Sequence, residues 1–329
     1  MMKQLDIAKE IYSGKAGHLY VEKGGLNIWD VTIDAGCDEE VYIGLISDVH
    51  LNYCNQQDMD EADPVLMSTY KNRKWCANGE TVPKLRSCLN VLSDADRIVA
   101  NGDIMDYLSK GCMELIEKEL WDKVPDVIAN VGGHEFCIRM QGEVEETLSY
   151  EERVEIIRNF WHHDIDYVSA LVKDKVMLIA MNDDRATITS KQYDLLEADL
   201  KIARDNGYVV LIFVHEPFRT GNPLEETYTE DMALLVGDKN GFPKKFFDGY
   251  SRGNKMVGAK ECDEVTMSAY NLIINSADVI KGIFGAHFHS DIYTEIIAKT
   301  KDGEDTVIPQ YIHTATAYDN GHLMRIIVK

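Results

Sequence analysis

The sequence lacks the features that would place it in a membrane or in an oxidising compartment. No apolar run approaches the roughly 18 residues that a membrane-spanning helix needs, and residues 1–20 contain no hydrophobic core of a secretory signal. The seven cysteines are odd in number and form no CxxC pair, so they do not outline a disulfide framework. We therefore expect a cytoplasmic protein without a membrane anchor.

Positive charge is also scarce. The chain has 34 Lys and Arg against 56 Asp and Glu, which gives a net charge of −22. A surface this acidic repels nucleic-acid backbones and anionic lipids, so neither is an expected partner. Most of the carboxylates are explained by a solvated surface, and the alternative is that some of them bind cations. A small anionic substrate would then need a local positive centre.

Apolar segments of strand length recur along the chain and alternate with helical patterns. Their richness in Val and Ile, mostly without alternation, predicts strands that are covered on both faces. The clearest helix is 190–207, which Ser190 is expected to cap and Gly207 to end. Strands alternating with helices predict an α/β fold. The predicted strands are 41–47, 97–101, 126–131, 176–182, 208–214 and 279–285.

Five of these strands are followed at once by Asp or His. Each feature is weak alone, because a single His after a strand is usually an ordinary surface or core residue. Their conjunction predicts a metal site, since the carboxyl ends of parallel strands meet at one edge of a sheet. The residues are Asp48 and His50, Asp103 and Asp106, His134, His215, and His287 with His289.

Mixed carboxylate and imidazole ligands suit manganese, iron or zinc better than magnesium or calcium, which prefer oxygen alone. One Asp can bridge two such cations through its two oxygens. A cation pair can clamp an in-line displacement at phosphorus and lower the pKa of a bound water. The cations would also provide the positive centre that the net charge denies.

The order D-x-H, G-D-x-x-D, G-G-H-E, H and A-H-x-H, from about Ile43 to Asp291, resembles the calcineurin-like metallophosphoesterases. The segment 188–218 resembles the helix–strand–His unit of their phosphodiesterase-like branch. The resemblance implies an α/β sandwich of two mixed β-sheets flanked by helices, with a two-metal site at the carboxyl ends of the strands. It also implies hydrolysis of a phosphomonoester or phosphodiester by a metal-bridged hydroxide.

The resemblance also implies a role for each motif residue. Asp48, His50 and His289 would bind the first metal, Asp103 would bridge, and His215 and His287 would bind the second. His134 would protonate the leaving oxygen, and Asp106 would orient His134. The competing interpretation makes His134 itself a ligand.

Two positions depart from the family pattern. Ala286 replaces a glycine, which adds only a methyl group. Gly133 replaces the asparagine whose side-chain oxygen completes the second metal site, and glycine has no side chain to offer. We therefore expect the second of two divalent or trivalent metal ions to be bound more weakly. Asn101 and Asn130 are near in sequence but are not at the matching position.

The length fits one domain over residues 1–329, with long insertions at about 51–83 and 216–278. Connections longer than usual favour lids or substrate walls. Arg219, in the second insertion, is a candidate for binding the substrate phosphate, although a surface arginine explains it as well. The predicted function is metal-dependent hydrolysis of a small phosphate ester. The alternative is a metal-binding regulatory or scaffold protein, which Gly133 favours and the retained His134 and Asp106 oppose.

Overall fold

The computed structural model describes residues 19–20, 25–61, 63–73, 81–138, 147–221 and 256–329. These residues form two mixed six-stranded sheets flanked by helices, which confirms the predicted fold class. The strands, in chain order, are β1 Leu19–Tyr20, β2 Asn27–Ile33, β3 Val41–Ile46, β4 Arg97–Asn101, β5 Ile128–Asn130, β6 Tyr167–Val172, β7 Val176–Met181, β8 Val209–Val214, β9 Ile280–Gly285, β10 Ile292–Lys299, β11 Asp305–Ile312 and β12 His322–Val328.

Each sheet contains three neighbouring parallel strands. The first sheet has the order β1-β2-β12-β3-β4-β5, and the second has the order β10-β11-β9-β8-β7-β6. The strands β3, β4 and β5 run parallel to one another, as do β7, β8 and β9. These six strands are the ones that the continuous apolar runs predict. The parallel arrangement therefore delivers the residues that follow them to one edge of each sheet.

The strands that the sequence analysis did not predict lie beside these parallel strands. The strand β10 alternates between buried and more exposed residues, and β12 does so over most of its length. Such strands lack the continuous apolar run of a strand buried on both faces. A search for continuous runs therefore finds the neighbouring parallel strands of each sheet and misses the strands with alternating burial.

Seven α-helices lie in the described residues. The longest, Ser190–Asn206, ends at Gly207 in the left-handed conformation (φ 69°), as predicted. Its N-cap is Thr189 rather than Ser190. The Thr189 hydroxyl accepts a hydrogen bond from the Gln192 backbone amide, and the Gln192 side-chain oxygen accepts one from the Thr189 backbone amide. The helices are α1 Gln56–Glu61, α2 Pro64–Asn72, α3 Thr81–Val91, α4 Lys110–Ile116, α5 Tyr150–Phe160, α6 Ser190–Asn206 and α7 Glu264–Ile274.

The core has three parts, which together make a four-layer sandwich. One cluster fills the space between the sheets and contains Val99 of β4 together with Leu211 and Phe213 of β8. A second cluster packs α3 and α4 on the first sheet, and a third packs α6 and α7 on the second. Each sheet is thus covered on both faces, which explains the apolar central strands.

Parts of both long insertions are ordered as helices. The described part of 51–83 contains α1 and α2, and the described part of 216–278 contains α7. Residues 62, 74–80 and 222–255 lie outside the described residues, so the lid or substrate-wall role remains a prediction. Among the residues that are described, no helix has the length and apolarity to span a bilayer.

Candidate metal centre

The loops after β3, β4, β8 and β9 bring six candidate ligands together. The Asp48 amide donates to the Gly102 carbonyl and the His50 amide to the Asp103 carbonyl, each at 3.0 Å, which joins the first two loops. The Ala286 amide donates to the His215 carbonyl at 2.9 Å, which joins the other two. Residues from both halves of the chain therefore meet at one end of the sandwich.

The first group consists of Asp48, His50, Asp103 and His289, whose donor atoms all lie within 4.8 Å of one another. The His289 Nε2 atom lies 3.0 Å from Asp48 Oδ1 and 3.1 Å from His50 Nε2. Two imidazole nitrogens that face each other beside a carboxylate are well placed to share one cation.

The remaining ring nitrogens of these histidines are occupied. His50 Nδ1 lies 3.1 Å from Asp106 Oδ1, and His289 Nδ1 lies 2.7 Å from the Tyr318 hydroxyl. Partners of this kind fix the ring orientation and leave the other nitrogen for a metal. Tyr318 carried no motif signal in the sequence, because it follows β11 in a part of the chain without a motif.

The second group consists of Asp103, His215 and His287, again with donor atoms within 4.8 Å. His215 Nε2 lies 3.1 Å from Asp103 Oδ2, and His215 Nδ1 faces the Asn101 carbonyl at 2.9 Å. Asp103 belongs to both groups. The structure thus brings together all six predicted ligands, in the two groups that the resemblance implies, and their binding of metal stays a prediction.

The donor set fits a cation. Both carboxylate oxygens of Asp48 and the Nε2 atom of His215 are buried without a hydrogen-bond partner, which is costly unless another group satisfies them. Two carboxylates and four imidazoles match manganese, iron or zinc in chemical type. The residues present therefore suit the metals that the resemblance implies.

Two glycines make the close approach of these side chains possible. A Cβ atom on Gly132 would lie 2.4 Å from Asp103 Oδ1, and one on Gly102 would lie 2.5 Å from His215 Nδ1. Both distances are too short for real atoms. The glycines of the G-D-x-x-D and G-G-H-E motifs therefore leave the space that Asp103 and His215 occupy.

Strained backbone marks the same loops. Among the described residues, ten other than glycine have positive φ, and five of them are candidate ligands. Such residues cost about 1–3 kcal/mol each and concentrate at functional sites. Asp48 (φ 47°) and His50 (φ 49°) are among them, so left-handed turns beyond the end of β3 position both side chains, not the alternation of a strand. The other three are Asp103, His287 and His289.

Two buried carboxylates hold the loops in place. Glu135 accepts hydrogen bonds from the amides of Gly132, Asp103, Ile104 and Met105, and burial and the charge of Asp103 raise its pKa to about 7. Asp183 Oδ1 accepts from the amides of His215 and Glu216, each at 3.1 Å. Asp183 directly follows the predicted strand 176–182, so the rule that found the ligands would have found it too.

His134 lies beside the first group rather than in the two groups that contain Asp103. Its ring packs against that of His50, with centroids 4.5 Å apart, and its Nε2 atom is 3.8 Å from Asp103 Oδ2. Burial alone would lower the pKa of His134, but the charge of Asp103, a hydrogen bond to Asp106 and the charge of Asp106 raise it to about 9. A third group of donor atoms combines His134 with His50 and Asp106, so the interpretation of His134 as a ligand stays open.

Asp106 has more partners than the sequence analysis assigned to it. Its carboxylate accepts from Asn52 Nδ2 at 2.7 Å and from Arg73 Nε at 2.8 Å, and Arg73 Nη2 makes a further contact. His134 Nδ1 lies 2.8 Å from the backbone carbonyl of Asp106 and 3.4 Å from its carboxylate. His134 Nδ1 is therefore closer to the backbone carbonyl of Asp106 than to its carboxylate. The carboxylate instead contacts His50 Nδ1.

Arg73 and Asn52 were not predicted, because no motif contains them. Both belong to the first long insertion, which thus reaches the centre of the site. Arg219 is partly buried; its amide donates to the Val257 carbonyl and its carbonyl accepts from the Tyr270 hydroxyl. Its contact with a substrate phosphate remains a prediction.

The side chains of the two asparagines near the motifs form hydrogen bonds between the two sheets. Asn101 Nδ2 donates to the carbonyls of Val214 and Phe284, and Asn130 Nδ2 donates to the Met181 carbonyl. Each therefore links the first sheet to the second.

No protein-family model matches the sequence, and no curated protein matches it. Solved structures that are similar over most of this chain include two nucleotidases and a phosphatase. A dimetal phosphatase from Danio rerio is 12% identical, with a TM-score of 0.39, over 84% of this chain and 87% of its own. A 5'-nucleotidase precursor from Thermus thermophilus is 10% identical, with a TM-score of 0.34, over 86% of this chain and 50% of its own.

The third structure is the NAD nucleotidase of Haemophilus influenzae, which is 10% identical with a TM-score of 0.32. The match covers 84% of this chain and 45% of that one, so this chain spans about half the length of each nucleotidase. TM-scores this low do not carry a function from one protein to another.

Proposed function

We propose that this chain is a calcineurin-like metallophosphoesterase that hydrolyses a small phosphomonoester or phosphodiester with two bound metal ions. The observation that carries the proposal is the shared carboxylate of Asp103, which belongs to two groups of His and Asp donors at once. One carboxylate between two such groups is the arrangement that a cation pair requires. Manganese, iron and zinc are the metals that suit these ligands.

Bound cations would polarise the phosphoryl oxygens of the substrate and lower the pKa of a water molecule that attacks phosphorus in line. The positive charge they supply would attract a substrate that the net charge of −22 otherwise repels. Asp48, His50, Asp103 and His289 would hold the first cation. Asp103, His215 and His287 would hold the second.

His134 is the candidate proton donor. Its Nδ1 atom faces the Asp106 carbonyl at 2.8 Å, and a backbone carbonyl can only accept a hydrogen bond. The Nδ1 atom therefore carries a proton, which leaves Nε2, 3.8 Å from Asp103 Oδ2, to act beside the metal centre. A protonated His134 can donate that Nε2 proton to the oxygen that leaves phosphorus. Cations on Asp103 would reduce the negative charge near His134 and so bring its pKa down from about 9.

The test is hydrolysis of p-nitrophenyl phosphate and of bis(p-nitrophenyl) phosphate by the purified full chain. The protein would be stripped with a chelator and reloaded with Mn, Zn or Fe. We expect turnover of at least one ester after reloading and none in the Asp48→Asn variant. Cation binding without turnover of either ester under any metal would support the scaffold alternative instead.

A further inference from the structure

We infer that Asp184 supplies the oxygen ligand for the second cation that the motif position Gly133 cannot supply. The inference rests on the proposed metal centre and adds a ligand to it. Asp184 begins the short 3-10 turn Asp184–Ala186 after β7. It therefore comes from a strand end that contributes none of the six predicted ligands.

The first observation is the space at Gly133. A Cβ atom built on this glycine would lie 3.3 Å from Asp184 Oδ1, and among the described residues no other atom outside its own chain neighbours lies within 4 Å. The carboxylate of Asp184 thus borders the volume that a side chain at 133 would enter. Gly133 is not among the glycines with positive φ, so its backbone would accept an asparagine. The glycine therefore leaves room for an acidic side chain from a neighbouring loop.

The second observation is how the Asp184 side chain is held. Its Oδ2 atom accepts a hydrogen bond from the Tyr150 hydroxyl at 2.7 Å, and Arg185 Nε lies 3.9 Å from the same oxygen. Among the described residues Oδ1 takes no hydrogen bond, although the side chain is only 10% exposed. Asp184 Oδ1 is not among the fully buried oxygens without a partner, so it is available to a cation that reaches this turn.

The third observation ties Asp184 to the second group. The neighbouring Asp183 accepts hydrogen bonds from the amides of His215 and Glu216, which fixes the turn after β7 against the loop after β8. In that loop, His215 Nε2 is buried without a hydrogen bond and points towards Asp103. Asp184 lies outside the 4.8 Å group of Asp103, His215 and His287. To bind the cation, the Asp184 side chain would turn about Cα–Cβ and exchange its hydrogen bond from the Tyr150 hydroxyl for the metal.

The substitution also changes the chemistry of the site. An asparagine offers a neutral amide oxygen, whereas Asp184 offers a charged one, and a charged oxygen binds a divalent cation more strongly. With Asp184 as a ligand, the second site has two carboxylates and two imidazoles. The second cation would then be held as firmly as the first, in contrast to the weak second site that the sequence alone suggests.

The experiment is titration of the full-length apo protein with Mn²⁺ in a calorimeter. The wild type should bind two Mn²⁺, and Asp184→Ala should weaken one of them at least tenfold and leave the other unchanged. The retained first site also shows that the variant is folded. The Gly133→Asn, Asp184→Ala double variant should recover the second Mn²⁺, because asparagine supplies an oxygen from the opposite side of the same space. Asp194→Ala, which removes an exposed carboxylate on α6, should bind two Mn²⁺ like the wild type.

Two tight Mn²⁺ in Asp184→Ala would overturn the role of Asp184 and leave the metal centre standing. Loss of the second Mn²⁺ without recovery in the double variant would also overturn it, because the effect would then be structural. If Asp184→Ala did not fold, Asp184→Asn would be titrated in its place. The inference would be contradicted if Asp184→Asn bound the second Mn²⁺ as tightly as the wild type and Gly133→Asn did not change that affinity. A wild type that binds no Mn²⁺ would instead refute the proposed function.

Discussion

The carboxylate of Asp106 lies 3.1 Å from Nδ1 of His50, on the side of the ring opposite to the candidate metal position. This pairing makes His50 Nδ1 the protonated nitrogen and leaves Nε2 for a cation. Asp106 is itself held by Asn52 and Arg73. Burial raises the pKa of Asp106, but its hydrogen bonds with His134, His50 and Arg73 hold that pKa far below the ordinary value. A chain of contacts therefore runs from the first insertion to the metal centre.

Asp106→Asn is expected to weaken the first metal site as well as turnover. An asparagine accepts from His50 less strongly, and the loss of an orienting carboxylate typically reduces metal affinity by about 10–100-fold. Calorimetric titration with Mn²⁺ would measure this change. Reduced turnover with unchanged affinity at both sites would show that Asp106 serves His134 alone, as the sequence suggested.

Asp103→Asn is expected to weaken both metal sites together, because one carboxylate belongs to both groups. The loss of one ligand from each site should exceed the roughly 10–100-fold effect of a supporting residue. Metal content after dialysis, measured by inductively coupled plasma mass spectrometry, would test this. A matched control is His287→Ala, which should empty only the second site; if Asp103→Asn also emptied one site alone, the bridge would be refuted.

The sequence predicts the six parallel strands β3, β4, β5, β7, β8 and β9 and the residues that follow them, because both depend on local signals. A continuous apolar run marks a buried parallel strand, and Asp or His directly after it marks the functional edge. The parallel strands, the helix Ser190–Asn206 and the six grouped donors follow from such signals. The implied sandwich follows from the order of the motifs.

The rest depends on contacts between distant parts of the chain. Tyr318 meets His289 across 29 residues, and Arg73 meets Asp106 across 33. Neither residue lies in a motif or directly after a predicted strand. Asp184 is different, because it follows the predicted strand 176–182 and was missed only where the ligand set was taken from the resemblance. A ligand set taken from a family resemblance leaves out any residue, such as the proposed ligand Asp184, that the family pattern does not contain.

Tyr318→Phe is expected to weaken the first metal site about 10–100-fold and to leave the second unchanged. The hydroxyl of Tyr318 is the partner of His289 Nδ1 at 2.7 Å, and without it the ring loses a contact that fixes its orientation. Mn²⁺ titration of the variant would measure the effect. Tyr293→Phe, which removes a hydroxyl bonded to Glu295 away from the group, is the control and should change neither site.

His134→Gln is expected to leave metal content intact and to reduce turnover by roughly 10²–10⁴-fold, the usual worth of a positioned acid. Glutamine keeps a polar side chain near the Asp106 carbonyl but has no acidic proton to transfer to the leaving oxygen. The loss should be smaller for p-nitrophenyl esters than for alkyl esters, because p-nitrophenolate is a stable leaving group that needs little protonation. Steady-state rates on both classes of ester, with metal content measured on the same samples, would test the role. An equal loss on both esters would contradict proton donation to the leaving oxygen. A loss of metal would instead support His134 as a ligand, in the group that it forms with His50 and Asp106.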